Sequence, residues 1–287
     1  MADQAERLRE IVRANGNKNL TNQPRVITVT SGKGGVGKTN LSVNLGISLA
    51  KLGARPLLVD ADLGLANVDV ILGVLPPYNL GHVILGEKKI ADVMINGPAG
   101  LRVIASGSGV YKLANLNEKS LEQCLQDLNE IQKYTDIMII DTGAGLSKNV
   151  VKFVLAAGEV VVVTTPEPTA ITDAYGIIKV IASSEPNTII WLVVNMVKNE
   201  SEGNQVVDRL ATVTKRFLGV DLLPLGFIPY DPIIPRAVKE QQPFILSHPR
   251  SMAGQSVSQI AKNLLSNGTE NVNHTTSFFD RLVEKLR

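Results

Sequence analysis

Two lysines and a threonine set among glycines, Ser31-Gly32-Lys33-Gly34-Gly35-Val36-Gly37-Lys38-Thr39, carry the clearest chemistry in this chain. Gly34, Gly35 and Gly37 let successive backbone N–H groups, with those of Val36 and Asn40, turn inward around phosphate oxygens. Lys38 is spaced to reach the β- and γ-phosphates, and the Thr39 hydroxyl can ligate Mg²⁺. Carboxylates supply the rest. Asp60 and Asp62 lie one residue apart at the end of an apolar run, Leu57-Leu58-Val59. Asp60 is placed to hold a Mg²⁺-bound water and Asp62 to orient an attacking water. Asp141 ends the run Ile137-Met138-Ile139-Ile140 and can meet Mg²⁺ through water. Gly145, four residues on, can bring its N–H to a γ-phosphate. Asn195 ends another apolar run, and its carboxamide can donate to and accept from the edge of adenine. A guanine reader of the Asn-Lys-x-Asp kind needs Lys at 196 and Asp at 198. The chain has Met196 and Lys198, so ATP and ADP are the expected ligands.

Such residues need strands that end at one edge and helices that begin there. Strand-like runs fall at 25–30, 56–60, 101–105, 136–141, 159–165, 188–195 and 222–228. Helical patterns fill 38–52, 118–134, 147–157, 170–184, 204–218, 232–240 and 252–265. Uniformly apolar strands alternating with helices predict an α/β fold, a mostly parallel, doubly wound sheet covered on both faces. Ligands then bind at the carboxyl ends of the strands. A strand, a glycine-rich loop and a helix in succession is the context a P-loop requires.

The 287 residues are 44% hydrophobic, enough for one large domain with a sizeable core. A formal net charge of +2 gives no general affinity for nucleic acid. The single cysteine, Cys124, rules out a disulfide framework and clustered iron–sulfur ligands. Its pattern with Leu121, Leu125 and Leu128 predicts a small core residue. The amino terminus has no apolar signal-like run, and no apolar run reaches the roughly 18 residues of a membrane span.

The pattern Lys-Gly-Gly-x-Gly-Lys-Thr, with its early Lys33, resembles the deviant Walker A of the MinD/ParA ATPases, P-loop NTPases of the SIMIBI type. The resemblance implies that Lys33 reaches across an ATP-bound homodimer into the partner's nucleotide, so that dimerisation activates hydrolysis. Asp60 to Asn67 resembles the family's first switch, which makes Asp62 the water-positioning residue. Residues 141–145 resemble the second switch, with Gly143 where the family usually has proline. Pro229-Tyr230-Asp231 resembles the adenine-flanking loop, with Pro229 and Asp231 as nucleotide contacts. Asp173 aligns with a dimer-interface aspartate.

Both ends read as appendages to a domain at 25–265. Residues 1–24 form a short capped helix and a polar linker, with Asp3 and Glu6 in a capping-box-like arrangement. Leu8, Ile11 and Val12 form a face too small for a core, which suggests a peptide that folds on a partner. Asp3-Gln4-Ala5-x-x-Leu8-Arg9 resembles the activator motif of the FlhG (FleN, YlxH) family of MinD-like regulators of flagellar number and placement. That resemblance implies that Gln4, Leu8 and Arg9 stimulate an FlhF-type GTPase and that flagellar C-ring components are partners. Residues 266–276 read as a tether.

The final segment, 277–287, places Phe278, Phe279, Leu282, Val283 and Leu286 in one helical stripe flanked by Arg281, Lys285 and Arg287. It can dock on the domain or lie on a lipid surface. The tether and the terminal position favour the membrane, giving a cytoplasmic protein that is peripheral on the inner face of the cell membrane when ATP-bound. Two other readings compete. A MinD division-site ATPase is disfavoured by the N-terminal motif. A ParA-type partitioning ATPase needs a basic DNA-binding surface in place of an apolar tail.

Overall fold

The structure is a computed structural model, and it describes residues 23–62, 67–105, 118–267 and 276–286. Eight strands form one sheet: β1 (Arg25–Ser31), β2 (Pro56–Ala61), β3 (Met94–Asn96), β4 (Arg102–Ile104), β5 (Ile137–Ala144), β6 (Glu159–Thr164), β7 (Ile189–Val197) and β8 (Leu223–Pro229). The described helices are α1 (Lys38–Lys51), α2 (Val68–Leu72), α3 (Leu80–Ile84), α4 (Ile90–Val93), α5 (Glu118–Asn129), α6 (Lys148–Ala156), α7 (Pro168–Ser184), α8 (Glu200–Leu218), α9 (Ile233–Lys239), α10 (Phe244–Ser247), α11 (Met252–Ser266) and α12 (Phe278–Leu286).

The strand order is β3-β4-β2-β5-β1-β6-β7-β8, parallel throughout except for the antiparallel edge pair β3–β4. The chain winds outward from β1 in both directions, so the loop after β1 opens at a topological switch point. Alternate residues of each central strand feed opposite cores. Ile27, Val29, Ile139 and Val161 face α1, α9, α10 and α11, whereas Ile140, Val160 and Val162 face α5 to α8. That is why these strands carry apolar residues on both faces.

The sequence reading places seven of the eight strands. It misses β3, three residues long, and the short helices α2, α3, α4 and α10, all below the length at which periodicity is readable. The predicted helix 118–134 is α5 followed by a single 3₁₀ turn at Glu130–Lys133. Cys124 is buried as predicted, and burial pushes its thiol up to about 12.

One polar network ties down the amino edge of the sheet. The Arg25 guanidinium donates twice to Glu159, each bond 2.6 Å, and once to the Leu264 carbonyl near the end of α11. The Trp191 indole N–H donates to the same Glu159 carboxylate. A charged pair this buried needs every oxygen engaged, and Glu159 meets that condition.

The tail is docked on the domain in this structure. Phe278, Phe279, Leu282, Val283 and Leu286, assigned from sequence to lipid, are buried against the domain and join the core beneath α6. Helix α12 rests on α6 and α5. It is capped by Ser277, whose Oγ accepts from the Asp280 N–H and donates to the Asp280 carboxylate. Lys285 pairs with Glu185 at 2.5 Å, and Lys152 donates to the Leu286 carbonyl. Burial pulls the Arg281 guanidinium down to about 10 against the opposing charges of Glu185 and Asp280. The physical reason is complementarity: the stripe that suits a lipid surface equally suits the apolar groove of the α5–α6 layer. Burying five apolar side chains gains about 7–15 kcal/mol, and ordering the backbone of roughly ten residues costs about 10–20 kcal/mol. The docked state is therefore finely balanced.

Candidate nucleotide site

The loop after β1 gathers the predicted residues. Gly35 and Gly37 adopt φ of 78° and 90°, the left-handed region that favours glycine. A Cβ on Gly35 would meet nothing within 4 Å, so the backbone there faces an open cradle. Gly32 is required for a different reason. Its Cβ would stand 2.3 Å from the backbone carbonyl of Asp173, because the loop packs directly on α7. Asp173 thus lies beside the loop, half-buried. Lys38 is buried at the start of α1.

Asp60 and Asp141 are direct neighbours in the β2–β5 register. Burial pushes the Asp141 carboxyl up to about 6, against the opposing hydrogen bonds from Ser42 and Thr39 and the charge of Lys38. Burial likewise pushes Asp60 up to about 7, with the Asp141 charge adding to it. Two adjacent buried carboxylates beside a threonine hydroxyl form a donor set suited to a hard divalent cation. No group of three or more His, Cys, Asp or Glu with metal-holding geometry occurs among the described residues. Mg²⁺ generally keeps several waters and is held by one or two protein groups together with phosphate oxygens. Thr39 would ligate the ion, and Asp141 would hold its waters.

Several predicted residues have other partners in this structure. Asp60 accepts from the N–H of Asp62 through Oδ1 and from those of Asn67 and Val68 through Oδ2. Its carboxylate thus holds the backbone at Asp62 and at residues 67–68 in this structure. Asp62 lies over the second switch: a Cβ on Gly143 would be 3.4 Å from its Oδ1. Glycine in place of the family's proline leaves room for that carboxylate.

The Gly145 N–H, expected at a γ-phosphate, donates to the Ser31 carbonyl at 2.9 Å. Asn195 has partners within the protein in this structure. Its Nδ2 donates to the Val36 carbonyl at 2.8 Å and its Oδ1 accepts from the Met196 N–H, so the carboxamide braces the phosphate loop from below. A Cβ on Gly37 would strike that Nδ2 at 2.3 Å. Asp231 is also buried and engaged, accepting from the N–H groups of Ile233 and Ala253. It ties the first turns of α9 and α11 together, and Tyr230 beside it is exposed.

Lys33 shows what the sequence alone missed. Its Nζ donates to Glu167 at 2.6 Å and to Thr169 at 3.1 Å, both at the start of α7. The side chains of Lys33 and Glu167 are 38% and 63% exposed. Such a pair contributes at most about 1 kcal/mol and exchanges partners readily. The Pro-Glu-Pro-Thr run at 166–169 marks a helix start, but no pattern in it announces a lysine partner 134 residues away.

Known proteins match this description. The model of the CobQ/CobB/MinD/ParA nucleotide binding domain matches residues 27–244. Antiactivator FleN of Pseudomonas aeruginosa is 41% identical over 262 residues, covering 91% of this chain and 94% of its own. Flagellum site-determining protein YlxH of Helicobacter pylori is 35% identical over 295 residues, covering 100% of each. Among solved structures, the cell division ATPase MinD of Pyrococcus furiosus superposes with a TM-score of 0.68 at 25% identity, covering 84% of this chain and 98% of its own. A phosphate cradle, paired carboxylates at the switch strands and full-length relatedness agree: this chain belongs to the CobQ/CobB/MinD/ParA family and is an ATPase that works with Mg²⁺.

Proposed function

We propose that this chain is an ATP-dependent switch that sets the number or placement of flagella. Full-length similarity to FleN and YlxH supports the flagellar setting. In this reading ATP brings two copies together and Lys33 leaves Glu167 for the partner's nucleotide. Asp62 then orients the attacking water. The dimer sits peripherally on the cytoplasmic face of the membrane through residues 278–286. Residues 1–24 reach an FlhF-type GTPase, and the body of the domain engages C-ring components.

The observation that carries this reading is the continuity from switch to tail. Gly145 is latched to Ser31, α6 begins three residues later at Lys148, and α12 rests on α6. A γ-phosphate that draws the Gly145 N–H away from Ser31 moves the helix on which the tail lies. Because docking is finely balanced, a small displacement frees the stripe for lipid. Two tails on one dimer then bind jointly through effective concentration.

The test is sedimentation with anionic lipid vesicles in ATP and in ADP, for the full chain and for a chain ending at residue 266. Co-sedimentation that needs both ATP and the tail is expected. Equal binding in the two nucleotides would refute the switch.

A further inference from the structure

We infer that Ser42 is a positioning residue for the magnesium site: it fixes the rotation of the Asp141 carboxylate against Thr39. Ser42 lies on α1 three residues after Thr39, so both hydroxyls project from one face of the helix. It is fully buried, and its Oγ donates to Asp141 Oδ1 at 2.8 Å.

A serine inside a helix usually satisfies its hydroxyl on the carbonyl four residues back. Ser48 in the same helix does so with Asn44, and Ser258 in α11 does so with Gly254, both at 2.8 Å. Ser42 instead donates across to β5. The choice has a consequence. Asp141 is fully enclosed, and its two partners of this kind, Ser42 and Thr39, come from the helix that starts at the phosphate cradle. One carboxylate oxygen held by Ser42 stops the group from turning about its Cβ–Cγ bond. Its orientation is then set before any nucleotide arrives. Groups that orient a metal's ligands typically change metal affinity by about 10–100-fold when removed.

Ser42→Ala deletes the bond and leaves Thr39, Lys38 and the cradle unchanged. Binding of a fluorescent ATP analogue is measured first with chelator present and then as Mg²⁺ is titrated in. The free-Mn²⁺ signal in electron paramagnetic resonance gives direct ion affinity with ATP bound. The expected result is parental affinity for magnesium-free nucleotide, with the Mg²⁺ and Mn²⁺ midpoints raised about tenfold or more. Ser42→Thr, which keeps the hydroxyl, should restore the parental midpoint. A parental midpoint in Ser42→Ala overturns the inference. So does an equally large loss of magnesium-free affinity, which would mark general damage to the loop. Should Ser42→Ala fail to fold, Ser42→Cys takes its place, since a thiol is a weak donor of similar shape. A raised midpoint there supports the positioning role, and an unchanged one overturns it.

Discussion

Neutralising Glu185 should release the tail without touching tail, nucleotide site or lipid-facing charge. Glu185 caps the end of α7 and receives Lys285 at 2.5 Å, with side-chain exposures of 41% and 26%. Its charge also steadies the half-buried Arg281. A fully exposed pair contributes about 0.2–1 kcal/mol. Water reaches this one on the Glu185 side, so the upper end of that range, about 1 kcal/mol, is a fair ceiling for Glu185→Gln. One kcal/mol is about a fivefold shift in the docking equilibrium, taking 1.4 kcal/mol as tenfold.

Apparent affinity for lipid scales with the fraction of tails that are free. Vesicle binding in ADP should therefore rise for Glu185→Gln, by less than twofold from an evenly balanced tail and by up to about fivefold from a mostly docked one. In ATP, where the proposed switch has already freed the tail, it should rise little. The ratio of ATP to ADP binding is the quantity to read, because it cancels differences in vesicle preparation. Lys285→Gln is the internal control. It breaks the same clamp but removes a cation that would face anionic lipid, so its gain in ADP should be smaller. Unchanged ADP-state binding in Glu185→Gln, or an equal rise in both nucleotides, would refute the reasoning.

Four further outcomes are expected. Lys33→Ala should bind ATP normally but lose ATP-dependent dimers in light scattering together with turnover; normal dimers and normal turnover would exclude the cross-subunit lysine. Asp62→Ala should bind ATP and accumulate as dimer while hydrolysis falls by about 10²–10⁴-fold, as for loss of a positioned acid–base group; parental turnover would sink that assignment. Asp280→Asn should slow hydrogen exchange across α12, because burial raises the Asp280 carboxyl above its ordinary value. Docking then favours the neutral form, is strongest below the usual carboxylate range and weakens as pH rises through the raised value; faster exchange in Asp280→Asn would contradict this. A peptide of residues 1–20 should speed GTP hydrolysis by an FlhF-type GTPase, and Gln4→Ala should abolish the effect; binding without a change in turnover would leave only a tethering role.

The phosphate loop, the two switch carboxylates and the sheet that presents them were legible because each rests on local pattern: apolar runs of strand length, glycines at fixed offsets, a lysine before a threonine. What was not legible depends on pairing across the fold. The Asn195 carboxamide bonds the Val36 carbonyl, 159 residues away in the chain. Asp231 accepts from the Ala253 N–H, 22 residues on, as well as from Ile233. The tail is the sharpest case. A stripe of five apolar residues gives the same signal whether its partner is lipid or the α5–α6 groove, and only the groove itself distinguishes them. Residues 1–22, with Gln4, Leu8 and Arg9, lie outside the described residues.

The anchor formed by Arg25, Glu159, Trp191 and the Leu264 carbonyl has a mechanical reading. It joins the last turn of α11 to the first residue of β1. Any tension on the segment that follows α11 is delivered, through one guanidinium, to the foot of the strand whose far end is the phosphate loop. A tail under tension would thus pull along β1, the direction in which its hydrogen-bonded neighbours β5 and β6 share the force.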